Sequence, residues 1–135
     1  MSVRHINPPA LYDSVKYGFS HAVVDTRSGT VHLSGQVAWD KDYQVVGGAD
    51  LAEQARQALA NLKIVLQEAG SGVDQILRLR TYIVNHNPEK LGIVSGELAN
   101  FYGDVEPASN TVVGVQALAL PDFLVEIEAT AALKD

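Results

Sequence analysis

The chain contains no cysteine, a single methionine and a single tryptophan. Without a thiol there is no disulfide, no thiolate nucleophile and no sulfur-rich metal site. Positive charge is also in short supply: ten Lys and Arg stand against sixteen Asp and Glu, a net charge of −6. A surface of that sign repels nucleic acid on average, so no nucleic-acid partner is expected. No apolar run approaches the ~18 residues that suggest a membrane span. The start, Met1-Ser2-Val3-Arg4-His5-Ile6, has no apolar core of signal-peptide length. No membrane association is expected, and the expected location is the cytoplasm. His5, His21, His32 and His86 are scattered without ligand spacing, and Gly47-Gly48 is not followed by the Lys-Ser/Thr of a phosphate loop. No metal and no cofactor are therefore expected.

What is present is 135 residues, 47% of them apolar. That is the size of one domain, residues 1–135, and such a chain buries roughly 68% of its unfolded surface without a staple. Val23, Val24, Val31 and Leu33 flank Arg27-Ser28-Gly29 and predict two strands joined by a short turn, with Gly35 ending the second. Asp50-Leu51-Ala52-Glu53 has the form of a capping box. Leu51, Ala55, Ala58, Leu59, Leu62, Val65, Leu66 and Ala69 then recur at three- and four-residue steps, and Gly70 stands where a C-cap glycine belongs. A helix over about 50–69 follows.

Residues 76–84 are rich in β-branched and aromatic side chains and predict a strand. Asn87-Pro88-Glu89 supplies an N-cap, a first-turn proline and an acid. Leu91, Val94, Leu98, Phe101 and Tyr102 form one face of a second helix that Gly103 ends. Two last strands are expected at about 110–119 and 123–132. The order is β-β-α-β-α-β-β, with room for a short strand near Val3 to Ile6. Two helices cover one face of such a sheet. Along the final strand Val125, Ile127, Ala129 and Ala131 suit the covered face; Leu124, Glu126, Glu128 and Thr130 point the other way. Carboxylates beside Leu124 suit a wet subunit interface, so an oligomer is expected.

Five segments in this order resemble the reactive-intermediate deaminase family (Rid, or YjgF, also described as L-PSP endoribonuclease-like). They are Ser34-Gly35-Gln36, the helix residues Gln54 to Lys63, Ala69-Gly70, Pro107-Ala108 and Val125-Glu126-Ile127-Glu128-Ala129. The resemblance covers nearly the whole chain. It implies an α+β, chorismate-mutase-like subunit: a mixed sheet with two helices on one face. It also implies a homotrimer whose sheets form a central barrel, with small-molecule clefts between subunits. In deaminating members an arginine follows the Pro-Ala pair and holds the substrate carboxylate, a bidentate task suited to guanidinium. Here that position is Ser109, followed by Asn110 and Thr111. A last-strand glutamate that positions the attacking water corresponds to Glu126. An aromatic lining the cleft corresponds to Phe19.

The residues themselves carry two readings at each position. Glu126 reads as a water-orienting acid or base or as a solvated strand carboxylate; Glu128 reads as structural. Ser109, Asn110 and Thr111 offer donors to a small polar ligand, or are turn residues. Arg78 and Arg80 share a strand face with Tyr82 and stand either as replacements for the absent clamp or as interface ion-pairing residues. Trp39 and Tyr43 suit a cleft mouth or plain packing. Three functions follow in order. The first is a small-molecule hydrolase of imines or enamines, acting through Glu126 on a substrate other than the usual 2-imino acid. The second is a non-catalytic metabolite-binding protein using the same cleft. The third is an endoribonuclease, which the acidic balance disfavours.

Overall fold

A computed structural model describes residues 2–135. Strand β1 (Val3–Ile6) leads through a long loop to β2 (Ala22–Asp25) and β3 (Thr30–Gln36). Helix α1 (Leu51–Glu68), β4 (Ile76–Val84), α2 (Pro88–Tyr102), β5 (Ser109–Val115) and β6 (Val125–Ala132) complete the order. The six strands form one mixed sheet, β1-β2-β3-β6-β4-β5. All neighbours are antiparallel except β4 and β5, which run parallel because α2 carries the chain back between them. The anticipated α+β architecture is present, including the short strand at Val3–Ile6.

Helix α1 starts where its sequence provides a donor sink: the Asp50 carboxylate accepts from the Glu53 N–H at 3.2 Å. Its end is set by Gly70, whose φ of +87° is left-handed backbone. The apolar stripe buries Ala55, Leu59, Leu62, Val65 and Leu66 against the sheet. In α2, Asn87 accepts from the Lys90 N–H at 2.8 Å, and Pro88 occupies the first turn. Val94 and Tyr102 are buried and Leu98 and Phe101 pack beside them, but Leu91 remains 40% exposed. The first turn of α2 sits beyond the end of β4, where Lys90 Nζ donates to the Val84 and Asn85 carbonyls instead of covering the core.

The final strand alternates as expected: Val125, Ile127, Ala129 and Ala131 are buried, and the residues between them are half-exposed. Strand β5 is shorter than the predicted 110–119. Its partner β4 ends at Val84, which pairs with Val115, so the following backbone has no ladder to join. Nor are the last two strands neighbours. Segment 116–124 crosses the end of β4, and β6 enters the sheet between β3 and β4.

Two bulges flank β6. Leu33 pairs with Ala129 but Gln36 with Ile127, so β3 carries one extra residue at Ser34-Gly35. Ile76 pairs with Ala131 but Arg78 with Thr130, which places a second extra residue at Leu77. Each bulge explains a broken alternation: the buried positions step by three from Leu33 to Gln36 and from Ile76 to Leu79.

Leu62 is fully buried between α1 and the sheet. Leu62→Ala should destabilise the fold by about 2–5 kcal/mol, the range for large-to-small core changes. Urea denaturation monitored by circular dichroism measures it; a loss under ~1 kcal/mol would contradict this packing.

Candidate functional site

Glu126 projects from the uncovered face of β6 directly over the β3 bulge. A Cβ on Gly35 would lie 2.6 Å from the Glu126 Cδ and 2.8 Å from its Cγ, so only a glycine leaves room for the carboxylate there. Among the described residues, no donor lies within hydrogen-bonding distance of Glu126. Its acid is held above the ordinary carboxylate range, first by burial and then by the charge of Glu128 two residues on. An acid raised in this way is closer to the pH at which it can take and return a proton.

Around Glu126 lies a cleft of about 560 Å³. Its floor is Ser34, Gly35 and Val37 at the end of β3. Its walls are aromatic: Tyr12, Tyr17 and Phe19 from the β1–β2 loop, Trp39 beyond β3, and Phe123 with Leu120 from the β5–β6 loop. Trp39 is the hub, with ring centroids at 5.1 Å from Tyr12, 5.4 Å from Phe123, 4.9 Å from Tyr43 and 6.1 Å from Tyr17. Edge-on arrangements predominate, as the ring quadrupoles favour.

Buried polar groups hold these walls in place. Asn61, on the covered face of α1, donates from Nδ2 to the carbonyls of Val37 and Trp39, both at 3.0 Å. Two turns earlier on α1, fully buried Gln54 accepts from the Leu124 N–H at 2.9 Å and donates to the carbonyls of Asp122 and Gly48. The two amides thus fasten two wall segments to one helix. A third fastening runs through His21. Its Nε2 lies 2.8 Å from the Tyr12 carbonyl, which can only accept, so Nε2 carries the proton and Nδ1 accepts from Gln36 Nε2 at 3.0 Å. Burial lowers the His21 pKa, which keeps this tautomer neutral. The Tyr12 phenol is pushed up to about 12, by burial and then by the Glu126 charge, and so keeps its proton.

Of the residues proposed from sequence, Glu126 and Phe19 meet in this cleft, and Trp39 lines it with them. Tyr43 packs behind Trp39. Ser109 and Thr111 lie on the uncovered face of β5, opposite Arg78 and Arg80. Glu126 pairs with Tyr82, four residues along β4 from Arg78 and on its other side. Strand spacings put Ser109 roughly 16 Å from Glu126 within one chain. The Ser109 hydroxyl donates to the Leu77 carbonyl at 3.0 Å. Asn110 points to the helix side, its Oδ1 accepting from Thr81 at 3.1 Å. Arg78 and Arg80 line a separate depression with Glu128, and Glu128 accepts from the Tyr82 hydroxyl.

The sequence reading passed over Tyr12, Tyr17 and Phe123 as cleft residues. A signal existed: aromatics at 12, 17 and 19 in a loop with no helical or strand period, immediately before the first hairpin. No helix among the described residues is long and apolar enough to cross a membrane.

A mixed sheet of six strands backed by two helices, with a carboxylate cleft on its bare side, defines the class as α+β. The endoribonuclease L-PSP family model matches residues 13–133, so the chain belongs to that family, the RidA/YjgF family. YyfB, a protein of unknown function of the Rid family from Yersinia pestis, is 51% identical, superposes with a TM-score of 0.76, and is matched over 98% of this chain and 100% of its own. The RutC family protein UK114 of Drosophila melanogaster is 35% identical over 114 residues, 84% of this chain and 78% of the relative. A 2-iminobutanoate/2-iminopropanoate deaminase of Dermatophagoides farinae is 28% identical over 100 residues, 74% of this chain and 75% of its own length.

The raised Glu126 acid has a stability consequence. The folded chain holds that proton more tightly than the unfolded chain, so its contribution is complete below the ordinary carboxylate value and is lost as pH rises through the raised one. Glu126→Gln should therefore raise the thermal midpoint at neutral pH, and the difference should close on acidification. Differential scanning fluorimetry across the acid-to-neutral range measures it; a gap that widens on acidification would contradict the assignment.

Proposed function

We propose that the protein is a small-molecule hydrolase of the imine/enamine deaminase type. The observation that carries this reading is Glu126: a half-buried carboxylate with no hydrogen-bond donor among the described residues, seated on Gly35 at the base of a largely apolar cleft. Such a group is free to hold a water. Glu126 takes a proton from the water as its oxygen bonds to the imine carbon and the C=N π bond opens, and that proton passes to the nitrogen to give the neutral carbinolamine. In the collapse Glu126 takes the hydroxyl proton as the C=O bond forms and delivers it to the nitrogen as the C–N bond breaks, so that ammonia leaves and the carboxylate is restored. Proton transfer of this kind contributes about 10²–10⁴-fold.

The working form is a homotrimer in this reading. The uncovered sheet face carries Glu126, Glu128, Arg78, Arg80 and Tyr82, a mixture suited to a partner surface, and β5 is an exposed, uncharged edge. A site that joins Ser109 to Glu126 draws them from two subunits, given their separation within one. Sedimentation at micromolar concentration should give about three times the 14.5 kDa subunit mass. A stable monomer would remove the intersubunit cleft.

Ser109 stands where deaminating relatives carry the carboxylate-clamping arginine, so 2-iminopropanoate should be a poor substrate. Ser109→Arg should raise its hydrolysis measurably, by about tenfold for each ~1.4 kcal/mol realised in the transition state. Glu126→Gln in that background should abolish the gain. A folded, trimeric Ser109→Arg protein that stays inert on 2-iminopropanoate would instead favour a metabolite-binding protein using the same cleft. The single reactive group in an otherwise aromatic wall is the feature consistent with that second reading.

A further inference from the structure

The extra residue in β4, Leu77, decides which way two cations face. Without it, the alternation that buries Ile76 would turn Arg78 and Arg80 towards the helices. With it, Leu79 and Thr81 are buried, and Arg78 and Arg80 are exposed on the uncovered face. Ser109 belongs to the same device. It pairs with Arg78 across β4 and β5, and its hydroxyl donates to the Leu77 carbonyl at 3.0 Å. The residue at the family's clamp position thus pins the bulge that turns an arginine outward on the next strand. That arginine is left unengaged. The cross-strand neighbours of Arg78 are Ser109 and Thr130, neither of them charged, and among the described residues no carboxylate lies within ion-pair distance of it. Arg80 differs, because Glu128 stands opposite it on β6. Both arginines border one depression of about 140 Å³ with Glu128 and Thr130. Two like charges two residues apart on a strand face repel each other, and an anion placed against them relieves that repulsion. The free Arg78 fork also matches the geometry of a carboxylate.

We propose that Arg78 of the partner subunit is the anion-binding group of the Glu126 cleft, and that the ligand carries its carboxylate several bonds away from the reacting carbon rather than attached to it. This rests on the trimeric hydrolase reading, in which the β4–β5 face that bears Ser109 closes the cleft and brings Arg78 with it. A guanidinium at position 109 would project from β5. That of Arg78 projects from β4, one strand spacing (~4.8 Å) to the side. In a 2-imino acid the carboxylate is bonded to the imine carbon, and no ligand carries it closer. A clamp moved by one strand therefore suits an acid held further out. The body joining the two ends would be apolar, since the rim it must cross exposes Tyr17, Phe19 and Leu120.

Two isomers separate the carboxylate positions. In 4-(hydroxymethyl)benzoate the carboxylate lies across the ring from the carbinol carbon; in mandelate it is bonded to that carbon; benzyl alcohol has none. The purified oligomer is titrated with each by calorimetry. 4-(Hydroxymethyl)benzoate should bind more tightly than mandelate and benzyl alcohol by about tenfold or more. Arg78→Gln should remove that margin while leaving benzyl alcohol unchanged, a split that a misfolded variant would not give. In the wild-type protein, 4-(hydroxymethyl)benzoate should protect Arg78 from phenylglyoxal, read by mass spectrometry, so the assignment is tested even where Arg78→Gln dissociates the oligomer. Mandelate bound as tightly as its isomer overturns the displaced clamp. A margin that survives Arg78→Gln, or an Arg78 left unprotected, overturns the assignment to this residue. In parallel, ammonia release is followed from 4-carboxybenzaldimine, generated in place by an amine oxidase, and from 2-iminopropanoate. Arg78-dependent binding with neither imine accelerated supports the anion site and removes the hydrolase reading. Acceleration of both imines alike, unchanged in Arg78→Gln, overturns the anion site and leaves the hydrolase reading standing.

Discussion

The contact between the Glu126 carboxylate and the bare Cα of Gly35 is the constraint around which the site is organised. It requires three things at once. The β3 strand must gain a residue at Ser34-Gly35 so that its backbone swells towards β6. The residue at the swelling must lack a Cβ. The strand carrying the acid must lie beside it in the sheet, which is why β6 is inserted between β3 and β4 rather than added at the edge. The carboxylate is then wedged against backbone on one side and open to the cleft on the other, with Glu128 as its charged neighbour. Both its burial and that repulsion act in the same direction on its proton affinity.

The cleft walls are loops, and loops of this length hold a shape only if their backbone groups are anchored. The anchors come from the helix layer. Gln54 and Asn61 interrupt the apolar stripe of α1 with amides that reach past the core to the loops at 37–39 and 122–124. His21 and Gln36 do the same for Tyr12 from within the sheet. The hydrophobic core and the site are therefore not separable: the helix that buries Leu62 and Leu66 also positions Trp39 and Phe123. The uncovered sheet face has no such support within the chain, and its ionic and apolar groups are left to whatever packs against it.

Much of the fold was legible because it depends on local periodicity. The α1 stripe, the Asn87-Pro88 start of α2, the extent of β4 and the alternation of β6 all follow from side-chain spacing and capping chemistry. Where the reading departed from the structure, the cause was a partner distant in sequence. The fifth strand ends at Val115 because β4 ends at Val84. Leu91 stays exposed because its turn overhangs the sheet. Asn110 meets Thr81 rather than the open face because parallel pairing with β4 sets its side. Glu126 and Phe19 were legible through resemblance to a family motif; the remaining aromatics lay in loops whose spacing has no period to read.

By itself the sequence determined the elements, the acidic and thiol-free chemistry available to them, and which face of the last strand would be buried. These are properties of residues near one another in the chain, governed by caps, turns and two periodicities. Only the tertiary structure decided that segments at 12–19, 34–39 and 119–126 enclose one space, and that Glu126 sits in it. That outcome depends on a bulge, a strand insertion and three buried amide or imidazole anchors. Each of these joins residues distant along the chain, from Tyr12 and His21 to the β3–β6 pair Leu33 and Ala129, and the physics that fixes them is packing and hydrogen-bond satisfaction across the fold rather than any local preference.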